Sequence, residues 1–270
     1  MAVKSVEKLR RKKVVNEHRI LKNLEHPNIL KFYNYYETRN HLWLIFEFCP
    51  GGDIFKMLNE DKKFPEDCVK HFSYEIMKGL SYLHSKGIIY GDLKPSTILF
   101  NEYNSLKLAD FGRARVIDDY INPEQETYAK SKTGSPYYMA PELFQDDGVY
   151  SFASDLWSFG CLIFEFITGK PPYSSSSLNK LIKMITEDPV PLQMLNCSKE
   201  LKEIVSLMLQ KDPADRLSWE ELFENPYWET FDLQEIEFLK FPQEPQFDNY
   251  LRKYGKTRRV APSKKKQEML

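Results

Sequence analysis

The chain has 270 residues, of which 42% are hydrophobic, so it can bury one sizeable core or two lobes and is not disordered as a whole. Its 38 Lys and Arg residues balance 39 Asp and Glu residues, which excludes a whole-domain electrostatic grip on nucleic acid or membrane. Glycine is scarce, with 11 residues or about 4% of the chain against an ordinary usage of about 7%. A phosphate-binding enzyme normally needs more glycine than this.

The cysteines and histidines form no metal-binding pattern. The four cysteines lie far apart without a C-x-x-C pair, and the five histidines have no spacing typical of zinc sites. Residues 1–13 are too charged for a signal peptide, and the most apolar run, 159–167, is too short to span a bilayer. We therefore expect a cytoplasmic protein with reduced thiols, no membrane partner and no specific nucleic-acid partner.

The first part of the chain predicts a small lobe of strands and one helix. Residues 2–3 are strand-like, and residues 5–24 carry apolar side chains at the spacing of one helix face. These side chains are Val14, Val15, Ile20, Leu21 and Leu24. Residues 29–36 and 42–48 are predicted strands, and turn residues follow them at 50–52.

From Pro65 onward the pattern predicts helices. An apolar stripe runs from residue 69 to residue 83 and stops before Gly87. Residues 154–169 are apolar on nearly every side, which predicts a buried helix, and shorter amphipathic helices are predicted at 199–209 and 218–224. Between the two parts, residues 88–108 alternate short strands with polar turns, a pattern typical of loops that carry a site.

Four short motifs occur in the order that phosphoryl transfer needs. That reaction uses a lysine on the phosphates, carboxylates on Mg²⁺ and an acid facing the acceptor hydroxyl. The motifs are Ala2-Val3-Lys4, Asp92-Leu93-Lys94-Pro95-Ser96, Asp110-Phe111-Gly112 and Ala140-Pro141-Glu142. Each is weak alone, but the ordered set is specific, and residues 2 to about 231 resemble a protein kinase. Lys94 and residues 134–139 are typical of the serine/threonine class.

This resemblance implies an α+β, bilobal protein-kinase-like fold. It implies a truncated N-terminal strand-and-helix lobe at 1–48, a hinge and mainly helical C-terminal lobe at 49–231, and a linker with a basic tail at 232–270. Residues 155–160 resemble the buried-helix motif of the family, and Arg216 resembles the arginine that pairs with Glu142. Three segments resemble the Fused/Runkel-like branch, which includes members linked to microtubules and members with decayed active sites. They are residues 46–53, 84–92 and 141–146.

The resemblance also implies a role for each catalytic residue. Asp92 would orient the acceptor hydroxyl and take its proton, and Lys94 would lie on the γ-phosphate. Lys4, with Glu17 as its ion-pair partner, would hold the phosphates of ATP. Asp110 would bind Mg²⁺. The implied cofactors are thus ATP and Mg²⁺, and the implied partner is a protein substrate.

The adenosine side of the site is implied in the same way. Glu47 and Cys49 would offer backbone groups to the adenine edge, and Asp53 would lie near the ribose. Ala2 and Leu99 would enclose the base from its two faces.

Two departures concern the nucleotide. No G-x-G-x-x-G loop is present, since the sequence begins at the strand that follows this loop in the family. We expect an incomplete version of a longer kinase, with a true short form as the alternative. Thr97 replaces the asparagine that holds the second Mg²⁺, and its short neutral hydroxyl predicts weaker binding or a one-metal mechanism. A harmless substitution is the alternative.

The third departure concerns activation, because Tyr90-Gly91 replaces His-Arg before Asp92. Tyr90 can stack on Phe111, but Gly91 cannot pair with a phosphate. Phosphorylation should therefore not be required to order the activation segment through Gly91. The available hydroxyls are those of Thr127, Tyr128, Ser131 and Thr133, which otherwise read as ordinary polar loop residues.

Two alternatives to an active kinase follow from these features. The missing glycine loop and Thr97 would suit a pseudokinase scaffold with weak or no catalysis. The basic residues between 252 and 266 would suit a microtubule or other anionic polymer, although such a run is more often a solvated tail.

Overall fold

The structure is a computed structural model that describes residues 1–117, 134–146 and 148–229. The four candidate phosphosites, the linker and the basic tail lie outside the described residues. The described residues form a mixed fold with strands in the first part and helices in the second, which confirms the predicted fold class. The domain boundaries at 48 and 231 stay predictions. In the part of the chain that is described, no helix has the length and apolar character needed to cross a membrane.

The N-terminal sheet has three antiparallel strands in the order β1-β3-β2. They are β1 (Ala2–Glu7), β2 (Phe32–Glu37) and β3 (His41–Phe46). Successive side chains of a strand point to opposite faces, so every second residue of β3 enters the core. Leu42, Leu44 and Phe46 are the buried set.

Strand β1 is longer than the sequence predicted, because residues 5–7 extend it instead of starting a helix. These residues pair in register with residues 41–43 of β3. The pairing uses the backbone hydrogen-bonding groups of both segments, an advantage that the local charge pattern cannot reveal. Helix α1 (Arg11–Leu21) therefore begins only after a short 3-10 turn.

Helix α1 turns one face to the core. Val14, Ile20 and Leu21 are buried as predicted. The assignment of Val15 to the same face is wrong, since its side chain is 49% exposed. At about 100° per residue, Val14, Ile20 and Leu21 lie within an arc of about 120°, whereas Val15 lies about 100° beyond Val14 and points away from that arc. Glu17 is on the core side and only 1% exposed.

The second part is built around one buried helix. Its helices are α2 (Ile54–Asp61), α3 (Glu66–Ser85), α4 (Phe152–Thr168), α5 (Leu178–Glu187), α6 (Lys199–Met208) and α7 (Trp219–Phe223). Helix α4 is buried on nearly every side, as predicted. A Ser151 and Ser154 capping box begins it, and Gly169 ends it with a left-handed φ of 78°. The sequence analysis did not predict α2 and α5, which are short.

Two small antiparallel pairs carry the loops of the site. Strand β4 (Ile88–Ile89) pairs with β7 (Arg115–Val116), and β5 (Ile98–Phe100) pairs with β6 (Leu106–Leu108). This confirms the predicted alternation of short strands and turns. The loop from β4 to β5 carries Asp92, and the loop after β6 carries Asp110.

An arginine after α6 anchors the segment that ends at Glu142. The Arg216 guanidinium donates from two nitrogens to the two Glu142 oxygens, at 2.7 and 2.6 Å. Its other donors reach three backbone carbonyls. The pair expected from the sequence is present, with Arg216 buried and the Glu142 side chain 13% exposed, and it ties two segments that lie 74 residues apart.

Candidate active site

A lysine on the sheet meets two carboxylates from different elements. Lys4 Nζ on β1 lies 3.0 Å from the Glu17 carboxylate on α1 and 2.9 Å from Asp110 Oδ1. Strand alternation turns Lys4 to the same side as Ala2, while Val3 is 58% exposed. The expected ion pair of Lys4 with Glu17 is thus present, and Asp110 completes a three-residue cluster.

The charged groups of this cluster change one another's pKa values. Burial disfavours a charged lysine, but the carboxylates of Glu17 and Asp110 outweigh it and hold the pKa of Lys4 above its ordinary value. Burial raises the pKa of Glu17 despite the Lys4 ammonium. Burial also acts to raise the pKa of Asp110, but the neighbouring lysines prevail and lower it. Asp110 is therefore ionised at neutral pH.

Sequence reasoning missed a second lysine at this cluster. Lys13 Nζ on α1 lies 3.9 Å from Asp110 Oδ1. The Lys13 side chain covers Gly112, where a Cβ atom would collide with it. Its spacing one helical turn before Glu17 was the signal available in the sequence.

The Asp92 carboxylate is held between two cations. Lys94 Nζ lies 2.9 Å from Asp92 Oδ2 and 3.0 Å from Ser135 Oγ. An Arg113 guanidinium nitrogen lies 2.7 Å from Asp92 Oδ1. The Asp92 side chain is 3% exposed, so both contacts operate away from bulk water. Asp92 and Lys94 are brought together as the motif implied, whereas the sequence analysis did not single out Arg113.

Helix α4 clamps the loop that presents Asp92. Asp155 Oδ2 accepts from the Tyr90 backbone N–H at 2.7 Å, and Asp155 Oδ1 accepts from the Gly91 N–H at 2.8 Å. Asp155 Oδ2 also lies 2.9 Å from His84 Nε2, while Trp219 Nε1 donates to His84 Nδ1 at 2.8 Å. The Trp219 bond makes Nδ1 the acceptor, so Nε2 carries the hydrogen that faces Asp155. These contacts fix the loop backbone two residues before Asp92.

Thr97 is part of the frame of this loop. Its hydroxyl lies 3.0 Å from the Asp92 carbonyl and 2.9 Å from the Lys94 carbonyl, and it accepts from the Lys94 N–H at 3.3 Å. The residue is 3% exposed. The hydroxyl is therefore committed to the loop backbone, and its role as a metal ligand stays a prediction.

An arginine fills the space beside Gly91. A Cβ on Gly91 would lie 2.6 Å from a guanidinium nitrogen of Arg115 and 3.1 Å from the Arg113 carbonyl. Arg115 is 1% exposed, and its guanidinium lies 3.9 Å from the centre of the Tyr150 ring.

The predicted contact of Tyr90 with Phe111 is present, with ring centres 5.3 Å apart.

Alanine at Gly91 should therefore cost more stability than alanine at Gly87. Both glycines have a left-handed φ, 71° and 69°, but a Cβ on Gly87 would meet no atom within 4 Å. We expect about 1 kcal/mol for Gly87→Ala, from backbone strain alone, and about 2 to 3 kcal/mol for Gly91→Ala. Urea unfolding of both variants measures the difference, and equal losses would contradict the crowding by Arg115.

The segment after β3 exposes backbone groups on the implied adenosine side. Within the described residues no group hydrogen-bonds to the Glu47 carbonyl or to the Cys49 N–H. The Glu47 side chain faces elsewhere, accepting from the Lys31 N–H at 2.6 Å and pairing with Lys107 at 3.1 Å. Burial raises the pKa of the Cys49 thiol to about 11, so the thiol is neutral.

The other three residues of the implied adenosine site lie beside this segment. Ala2 pairs in register with Phe46 across the sheet. Leu99 forms an isolated antiparallel bridge with Asp53. The Asp53 carboxylate accepts from the Lys56 N–H at 2.8 Å and so caps helix α2. Their contacts with a nucleotide stay predictions.

Comparison with known proteins gives one consistent result. A family model described as protein kinase domain matches residues 1–228. The serine/threonine-protein kinase RUNKEL of Arabidopsis thaliana is 45% identical, over 93% of this chain and 18% of its own length. ULK4 of Mus musculus is 33% identical over 84% of the chain and 19% of its own length, and PLK4 of Xenopus laevis is 35% identical over 81% and 23%. The chain spans about a fifth of the length of these relatives.

Proposed function

The chain belongs to the protein kinase family, in its serine/threonine class, and we propose that it transfers the γ-phosphate of ATP to a serine or threonine hydroxyl of a protein. One observation carries the proposal. The Lys4, Glu17 and Asp110 cluster unites residues from β1, α1 and the loop after β6, three elements distant in sequence. Such convergence of a phosphate-binding lysine with a metal-binding carboxylate has a clear use in phosphoryl transfer.

Each residue of the candidate active site has a separate role. Asp92 orients the acceptor hydroxyl and accepts its proton, and the clamp from Asp155 keeps its loop in one position. Lys94 Nζ bonds to Asp92 Oδ2 and Ser135 Oγ and keeps a third N–H donor for the γ-phosphate, and Lys4 holds the other phosphates. Because these groups are positioned before the substrate arrives, little reorganisation is needed during the reaction.

Asp110 fits the role of magnesium ligand. Its carboxylate is 39% exposed, and among the described residues only Oδ1 has a partner, so Oδ2 is available. Carboxylate oxygens are the ligands that Mg²⁺ prefers. Mg²⁺, when bound, would neutralise phosphate charge. Thr97 would contribute a second contact only if its hydroxyl left the loop backbone.

The base of ATP would lie against the segment after β3. The open Glu47 carbonyl and Cys49 N–H form an acceptor and donor pair that suits the adenine edge. Ala2 and Leu99 would contact the two faces of the base, and Asp53 the ribose. This assignment extends the family resemblance to positions that carry the required groups.

Replacing Lys4 by methionine tests the proposal. We expect transfer of label from γ-labelled ATP to fall at least about a hundredfold, because the ammonium that positions the phosphates is lost. Lys4→Arg keeps the charge and is the matched control, which should retain more activity. Absence of transfer to every serine and threonine peptide by a wild-type protein that binds Mg-ATP would contradict the proposed activity.

A pseudokinase scaffold is the second candidate, and the buried, fully engaged hydroxyl of Thr97 favours it. With one carboxylate and no second metal ligand, ATP should stabilise the protein almost equally with and without Mg²⁺. Thermal unfolding with ATP, in Mg²⁺ or in EDTA, separates the candidates. Strong Mg²⁺-dependent stabilisation would contradict the scaffold.

Microtubule association through the basic residues between 252 and 266 stays a prediction, because those residues lie outside the described ones. A cytoplasmic location also stays a prediction. Co-sedimentation with microtubules, before and after deletion of 252–270, tests the association.

A further inference from the structure

Arg113 covers the oxygen of Asp92 that an acceptor hydroxyl would need. Its guanidinium lies 2.7 Å from Asp92 Oδ1, while Lys94 takes Oδ2 at 2.9 Å. The Arg113 side chain is 28% exposed and that of Asp92 is 3% exposed. Arg113 is therefore the more exposed partner of this pair, and a group on a protein substrate can reach it from solvent.

This contact opposes proton transfer. A base must be within hydrogen-bonding reach of the hydroxyl whose proton it accepts, and the guanidinium occupies that place at Oδ1. Transfer to a neutral substrate must therefore separate two opposite charges.

Arg113 is able to change partners. Among the described residues, Asp92 is the only group that its side chain pairs with. Its backbone is restrained separately, because the Arg113 carbonyl accepts from Arg115 at 2.6 Å. The nearby side chains Lys13 and Lys94 are cationic and cannot replace Asp92. A carboxylate brought by the substrate can.

We propose that Arg113 selects substrates with an acidic residue directly beside the acceptor serine or threonine. The acidic side chain binds the Arg113 guanidinium and frees Asp92 Oδ1 for the acceptor hydroxyl. One ion pair replaces another, so the exchange costs little, whereas a neutral neighbour leaves the guanidinium on Asp92. Arg113 acts here as a specificity residue, and this inference rests on the proposed kinase function.

Peptide pairs that differ at one residue test this. Each pair has Asp or Asn beside a single serine, and one pair is made for each side of the serine. For at least one side we expect wild-type kcat/KM to favour Asp by about tenfold, since a hydrogen bond between charged groups is worth about that factor. Arg113→Gln should abolish the preference and raise kcat/KM for the Asn peptide, and Arg113→Lys should restore part of it.

Arg11→Gln is the matched control. Arg11 also has one carboxylate partner, Glu37, but lies on the surface, 59% exposed. The Arg11→Gln variant should leave the preference for the Asp peptide unchanged. An unaltered preference in Arg113→Gln, or none in the wild type, would overturn the inference.

Binding separates failure of this inference from failure of the proposed function. Fluorescence anisotropy of the labelled peptides with the full chain and a non-hydrolysable ATP analogue gives their affinities without catalysis. Tighter binding of the Asp peptide, lost in Arg113→Gln, supports the inference even if no phosphate is transferred. Equal affinities of the Asp and Asn peptides, in a protein that transfers no phosphate, contradict both proposals.

Discussion

Replacement of Asp92 by asparagine should lower the rate of phosphoryl transfer by about a thousandfold, within the range typical of a lost general base. Asparagine has nearly the same shape, but its amide cannot accept the proton of the acceptor hydroxyl. Its uncharged side chain also forms weaker bonds to Lys94 and Arg113, which both contact Asp92 now. The measurement is label transfer from ATP to a serine peptide under single-turnover conditions.

Two further measurements make this result specific. ATP affinity should change less than about threefold, because Asp92 is proposed to contact the acceptor and not the nucleotide. Asp188→Asn changes an exposed carboxyl group at the end of α5 and is the control, with activity expected at the wild-type level. Near-normal transfer by Asp92→Asn would show that another group accepts the proton.

Replacement of Arg216 by alanine should lower the free energy of unfolding by about 3 to 5 kcal/mol, the usual cost of breaking a buried ion pair from one side. Arg216 is 6% exposed and makes two bonds to Glu142 and three to backbone carbonyls. Without the guanidinium, the Glu142 carboxylate stays in a largely buried place with its main partner gone. Urea unfolding followed by tryptophan fluorescence measures the loss.

The exposed pair Lys183 and Glu187 is the matched control. Its atoms lie 3.9 Å apart and its side chains are 70% and 63% exposed. Solvent screens such a pair, so Lys183→Ala should cost at most about 0.5 kcal/mol. A similar cost for Lys183→Ala and Arg216→Ala would mean that the Arg216 network contributes little.

The sequence pattern predicted those helices and strands whose apolar residues and end residues lie within the element itself. Helix α4 is apolar on nearly every side and has clear ends, and both features are visible in the sequence. Residues 5–7 misled the helix prediction, because their place in β1 depends on pairing with β3, about 36 residues further along. Helices α2 and α5 were not predicted, although α5 is as long as α6 and buries Leu181 and Ile185 one helical turn apart, a signal that the local pattern contains.

In the candidate active site, too, the sequence predicted some features and not others. The motifs predicted the residues that meet at the candidate active site and the ion pairs of Lys4 with Glu17 and of Glu142 with Arg216. They did not predict the contact of Arg113 with Asp92 or the bonds that commit the Thr97 hydroxyl to its loop.

The sequence by itself therefore determined the family, the order of a strand-rich part before a helical part, and the types of side chain available for phosphoryl transfer. Motifs do this because residue type and spacing are local properties of the chain. Only the tertiary structure decided which charge neutralises which, that Arg115 fills the space beside Gly91, and that Arg113 covers Asp92. Those outcomes depend on side chains from separate elements competing for the same space and the same counter-charge, and such competition exists only once the chain is folded.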